Sequence, residues 1–201
     1  MAVKAIIFDI DGVLADSRDA VVHNTRTLLQ EFGFIINDGE VERLSRAHSA
    51  ESVLVSLAPS LSQDPGKLEK MLGRLSEITR ENLGMVRPLP LAIKVPALSK
   101  EYRLAAATNR KTSAAMVLEK LGIAQYFKAV LTSDDAPAKP HPGMIGLALK
   151  KLRVQKSEAV FIGDNIEDRQ AGEAAGVRTF VVNGADAASV EAFLREFLPG
   201  Q

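Results

Sequence analysis

The chain has 201 residues, 46% hydrophobic and 25% charged, enough for one sizeable core or a core with an insertion. Its 25 basic and 25 acidic side chains cancel, so overall charge points to neither nucleic acid nor an anionic membrane as a partner. There is no cysteine, which excludes disulfides and thiolate chemistry and fits a reducing, cytoplasmic setting; neither a leader nor an apolar run of membrane-spanning length is visible.

The first element is Ala5-Ile6-Ile7-Phe8, an apolar run with the signature of a fully buried strand. It delivers Asp9 and Asp11 and breaks at Gly12, which frees the backbone to turn. Along a straight strand the two carboxylates share a face. Two such charges about 4 Å apart repel by roughly 4 kcal/mol at an effective dielectric of 20. A divalent cation relieves that repulsion, and a shared proton relieves part of it. An Asp-Gly turn without chemistry is the plain alternative.

From Val21 to Phe32 the apolar period becomes helical, with Asp16 or Ser17 able to cap the start and Gly33 able to end it. Further helices are expected after Asp38, over Ala50 to Leu57, and from the cap Asp64 with Pro65 in the first turn. No strand is expected between Ala15 and Met85. Arg87-Pro88-Leu89-Pro90 punctuates the chain like a linker. Helices and strands then alternate. A helix over Leu91 to Lys100 precedes a strand over Tyr102 to Ala107 ending in Thr108-Asn109. A helix from Thr112 to Gly122 precedes a strand over Ala129 to Leu131 and the stiff loop Pro137 to Gly143. A helix over Met144 to Leu152 precedes a strand over Ala159 to Ile162 ending in Gly163-Asp164. A helix closed by Gly176, a strand over Arg178 to Val182 and a terminal helix to about Leu198 complete the pattern. Such alternation implies right-handed crossovers and a parallel sheet covered on both faces. The first strand belongs to that sheet, so residues 15–85 form a helical insertion, placed to act as a lid on a core made of 1–14 and 86–201.

Ligands of open parallel sheets bind outside the carboxyl ends of the strands. Four strand tips here are polar: Asp9 with Asp11, Thr108 with Asn109, Asp134-Asp135 with Lys139 beyond, and Asp164 with Asp168. Hard oxygen ligands without cysteine favour Mg2+, held by a few carboxylates and a substrate phosphate. Asp9 is the candidate nucleophile, and Asp11 the candidate acid and base for leaving group and water. Thr108 can donate to phosphate oxygens and Lys139 can offset negative charge. Asp164 is a candidate metal ligand, and Asp168 acts through water or by orienting Lys139.

Asp9-Ile10-Asp11-Gly12-Val13, Ala105 to Asn109, Lys139-Pro140-His141-Pro142, and Gly163-Asp164 to Asp168 followed by Ala171 to Gly176 stand in order along the whole chain. In this the sequence resembles the haloacid dehalogenase superfamily, in its phosphoglycolate-phosphatase-like branch. The resemblance implies a Rossmann-like doubly wound α/β core with a helical cap, magnesium dependence and an aspartyl-phosphate intermediate. It implies metal ligation by Asp9, Asp164 and the backbone carbonyl of Asp11, phosphate binding by Thr108, Asn109 and Lys139, and supporting roles for Asp168 and Gly12. Asp11 favours phosphoryl transfer over dehalogenation, because the dehalogenases lack that carboxylate. The expected partner is a small phosphorylated metabolite, phosphoglycolate among them, and the expected state a monomer or homodimer. A phosphosugar mutase of the β-phosphoglucomutase type uses the same intermediate, and a non-catalytic binding module is the reading from another class. Arg46, His48 and Ser49 lie where the family's cap carries its specificity loop. Asp134 and Asp135 are read equally well as turn residues, Glu167 as a helix-dipole charge and His141 as exposed. Two departures bear on substrate: Gly12-Val13 replaces the commoner Gly-Thr, and His23 falls off the mutase histidine's spacing.

Overall fold

The computed structural model describes residues 3–35, 37–45, 50–111 and 113–182. The chain divides into two compact units, one made of 1–16 with 87–201 and the other of 17–86.

The first unit is a five-stranded parallel sheet in the order β5-β4-β1-β6-β7. Its strands are β1 (Ala5–Phe8), β4 (Arg103–Ala107), β5 (Phe127–Leu131), β6 (Ala159–Gly163) and β7 (Arg178–Val181). Every residue of β1 is buried, as the unbroken apolar run requires of a central strand with both faces covered. Ile7, Ala105, Ala107 and Phe161 share one core with Met144, Ile145 and Ala148 of helix α7 (Gly143–Leu152). The register sets Phe8 beside Ala106 on one side and Ile162 on the other, so three strands end level. Crossover helices α5 (Pro90–Leu98), α6 (Ser113–Lys120) and α8 (Ile166–Ala175) link the strands.

The second unit holds α1 (Arg18–Glu31), α2 (Asp38–Ser45), α3 (Ala50–Leu57) and α4 (Pro65–Glu81). Asp64 accepts from the Lys67 amide at 2.9 Å, capping α4 as the sequence indicates. Leu28, Leu29, Leu54, Leu61, Met71 and Ile78 form this unit's own core. A 3₁₀ turn over Pro59–Gln63 fills the interval between α3 and α4. Among the described residues, no helix is long and apolar enough to cross a membrane.

The expectation of no strand after Ala15 is corrected. Ala15–Asp16 (β2) pairs antiparallel with Arg87–Pro88 (β3), inside what reads as a linker. Two residues carry no periodicity to detect, and Pro88 is tolerated because the ribbon is all edge. β5 also begins at Phe127, two residues before the apolar triplet that announces it. The expected terminal helix, Thr112 and the loop Arg46, His48 and Ser49 lie outside the described residues.

Candidate active site

The level ends of β4, β1 and β6 gather the polar tips. Asp9 follows β1 and continues the ladder, its amide donating to the Ile162 carbonyl at 2.8 Å. It is 5% exposed. Lys139 extends from the loop after β5, and its ammonium lies 2.8 Å from Asp9 Oδ1 and 2.6 Å from Asp168 Oδ1. These are ion-pair contacts without ideal hydrogen-bond angles, and neither oxygen has a hydrogen-bond partner. The alkyl stem of Lys139 is buried too, and its ammonium stands 5.6 Å from the Phe161 ring centroid.

Asp168 has two tasks. At the third position of α8 it closes a capping box with Asn165: Asn165 Oδ1 accepts from the Asp168 amide at 3.0 Å, and Asp168 Oδ2 accepts from the amides of Asp164 and Asn165. Its other oxygen faces Lys139. Gly163 makes room, since a β-carbon there would overlap the Asp168 side chain.

Asp164 is half-buried, with Oδ1 accepting from Asn165 Nδ2 at 3.0 Å. Gly12, at φ +72°, lies against its carboxylate, and a β-carbon at Gly12 would overlap it. Gly12→Ala is therefore expected to cost about 1–2 kcal/mol from the left-handed backbone alone. It should also weaken divalent-metal binding by about 10–100-fold by displacing Asp164. Denaturant midpoints and metal titrations check the two effects separately.

Thr108 is buried at the end of β4; its amide donates to the Leu131 carbonyl and its hydroxyl accepts from the Arg110 amide at 3.2 Å. Asn109 faces inward on the protein itself. Its Oδ1 accepts from the Lys139 amide at 2.7 Å and its Nδ2 donates to the Lys139 carbonyl at 3.2 Å. That clamp holds the lysine loop to the tip of β4. Asp134 and Asp135 stay local: Asp135 accepts from the Thr132 amide and hydroxyl, and Asp134 lies 3.9 Å from Lys111. His141 is exposed, with Nδ1 accepting from the Gly143 amide.

The Asp11 carboxylate faces a different basic side chain from Asp9. Arg110 donates from Nε to Asp11 Oδ2 at 2.6 Å and from Nη2 to Asp11 Oδ1 at 2.7 Å, a bidentate pair. Arg110 carries no role in the sequence reading, and its signal there was only its place after Thr108-Asn109. Each of the two motif carboxylates thus has its own basic partner.

Burial is the largest influence on Asp9, raising its carboxyl well above the ordinary value; Lys139 opposes this, and Asp168, Asp11 and Asp164 add to it. Burial likewise pushes Asp164 up to about 7, with Asp168 adding to it. Burial alone would lower Lys139, but Asp9 and Asp168 outweigh it and keep the ammonium charged. Among the described residues, Lys139 faces Asp9 and Asp168, and Arg110 faces Asp11. Oxygens of Asp9, Asp164 and Asp168 come within 4.8 Å of one another. Hard oxygen donors clustered this closely fit a divalent cation.

Residues 6–182 match the family model for haloacid dehalogenase-like hydrolases. The pyrophosphatase PpaX of Bacillus pumilus is 26% identical over 188 residues, covering 88% of this chain and 82% of the relative. A solved candidate phosphoglycolate phosphatase from Lactobacillus plantarum superposes with a TM-score of 0.79 at 24% identity, covering 95% of this chain and 92% of that one. A candidate β-phosphoglucomutase from Thermotoga maritima superposes with a TM-score of 0.68 at 25% identity, covering 89% and 85%.

Proposed function

We propose, given that the chain belongs to the haloacid dehalogenase-like hydrolase family, that this phosphatase cleaves a small phosphomonoester or diphosphate through an aspartyl-phosphate on Asp9. One observation carries the reading: Asp9 is buried at the level tips of three strands, one oxygen 2.8 Å from the Lys139 ammonium, in a cluster where oxygens of Asp9, Asp164 and Asp168 lie within 4.8 Å of one another. A carboxylate held this way is an oriented nucleophile.

Asp9 Oδ2 attacks phosphorus and the bond to the leaving oxygen breaks. Asp11 gives that oxygen its proton. A water then attacks the phosphorus of the aspartyl-phosphate, Asp11 takes the proton from that water, and the bond to Asp9 breaks to free inorganic phosphate. Lys139 holds the nucleophile and offsets charge on the transferring group. The Thr108 hydroxyl is in place to donate to a phosphate oxygen, and Asn109 keeps the Lys139 loop in register. Mg2+, held by Asp9, Asp164 and the main-chain carbonyl of Asp11, would supply charge neutralisation at the phosphate. Residues 17–86 serve as the cap that selects substrate and excludes water.

Magnesium and a proton compete for Asp164. Its raised pKa means the metal-free fold binds a proton that the unfolded chain gives up between about pH 4 and 7. Metal-free stability from this group therefore falls as pH rises through that window. Apparent Mg2+ affinity is expected to rise with pH up to about 7 and level off above it. Calorimetry in buffers of different ionisation heat checks this: proton release on binding at pH 6, little at pH 8.

The experiment for function is a panel of inorganic pyrophosphate, phosphoglycolate and hexose phosphates, each with Mg2+ and with chelator, read as released phosphate. Metal-dependent release supports the phosphatase. The likeness to a candidate β-phosphoglucomutase supports a second reading, in which a hexose phosphate is isomerised without net release of phosphate. No metal-dependent turnover of any kind would leave only a binding module.

A further inference from the structure

Asp11 must hand over and recover a proton at one point in space. It lies in the turn beyond β1, and its side chain is 35% exposed. The Arg110 side chain against it is only 11% exposed and is itself held by hydrogen bonds. The Arg110 amide donates to Thr108 Oγ1 at 3.2 Å, and its carbonyl accepts from the Ser133 amide at 3.2 Å. Nη1 donates to Ser113 Oγ at 3.2 Å, while Nε and Nη2 grip the two oxygens of Asp11 at 2.6 and 2.7 Å.

We propose that Arg110 is a positioning residue, one that fixes the plane and rotamer of the Asp11 carboxylate for proton transfer at the leaving-group oxygen. The inference rests on Asp11 being the acid/base group. Only a planar fork fixes both oxygens of a carboxylate at once; a lysine would hold one and leave the plane free to turn. Each carboxylate oxygen keeps a second lone pair while its first is gripped, so a proton can still be carried and released. Direct reading of the substrate phosphate is the rival role. It is disfavoured because three of the five N–H donors of Arg110 are already committed within the protein and its charge is paired with Asp11.

The test is a double-mutant cycle in the full chain with Mg2+: Arg110→Ala, Arg110→Lys, Asp11→Asn, and Asp11→Asn with Arg110→Ala. Initial rates are taken on p-nitrophenyl phosphate and on an alkyl phosphate. Arg110→Ala should lower kcat by about 10–100-fold with KM within about twofold of wild type. The loss should be larger on the alkyl phosphate, whose leaving oxygen needs the proton more. Arg110→Lys should recover part of the loss, and Arg110→Ala should cost nothing further once Asp11 is asparagine. The assignment is overturned by a raised KM with kcat kept, by an equal loss on both substrates, by the same loss in the Asp11→Asn background, or by unchanged or faster turnover. A wild type with no metal-dependent turnover would instead remove the phosphatase reading, and the positioning role with it. Melting curves identify a variant that merely fails to fold; for it, Arg110→Lys carries the same comparison.

Discussion

Asp9→Asn is expected to abolish turnover, by about 10⁴–10⁶-fold, while the protein stays folded. The amide keeps the volume and shape of the carboxylate but is no nucleophile towards phosphorus. Stability should not suffer in the metal-free protein. Burial raises the Asp9 carboxyl well above its ordinary value despite Lys139, so the charged form opposes folding. Sign follows from linkage: a raised folded-state pKa means stability is lost as pH climbs from the unfolded value, about 4, to the folded one. Asparagine lacks that loss. In chelator at neutral pH its melting temperature should equal or exceed that of the wild type. A quenched reaction with labelled substrate should show phosphate on the wild-type protein and none on the variant. Hydrolysis retained by Asp9→Asn would refute the nucleophile.

The second large effect belongs to Lys139→Met. Methionine matches the stem but leaves Asp9 and Asp168 facing each other in a buried site without their cation. Breaking a buried pair by removing one partner costs about 3–5 kcal/mol. Part of that cost can be avoided by protonation. Without the ammonium the folded-state pKa of Asp9 moves up further, so the deficit is full at high pH and shrinks as pH falls towards the ordinary carboxylate range. Activity should be lost across the whole range. Urea denaturation at pH 5 and pH 8 checks the sign: the gap to wild type should be wider at pH 8. A gap independent of pH would mean that Lys139 is held by packing rather than by charge.

The sequence discloses those elements whose burial is uniform. β1 and β6, and β4 after Arg103, lie between covered faces, so their residues are apolar without interruption and their ends are marked by the first polar residue. For the same reason Asp9, Thr108 and Asp164 stand out, each the first charge or hydroxyl after such a run or its closing glycine. Lys139 stands out through its prolines. Arg110 has neither mark: it follows a strand tip at a distance where helix leads also carry basic residues, and its partner lies 99 positions away. Asn109 is conspicuous as a polar tip, but which way its amide faces depends on a loop 30 residues on. The repulsion expected between Asp9 and Asp11 is present, since Asp11 helps to raise the Asp9 carboxyl, but each carboxylate also faces a basic side chain that the sequence does not pair with it.

The ribbon of β2 and β3 has one further consequence. Ala15 lies opposite Pro88 and Asp16 opposite Arg87, so the chain departs and returns through a single doorway about 5 Å wide. The seventy residues of the helical unit are thus joined to the rest of the chain at one paired point. Diversification of clientele with conserved chemistry is what such an architecture permits.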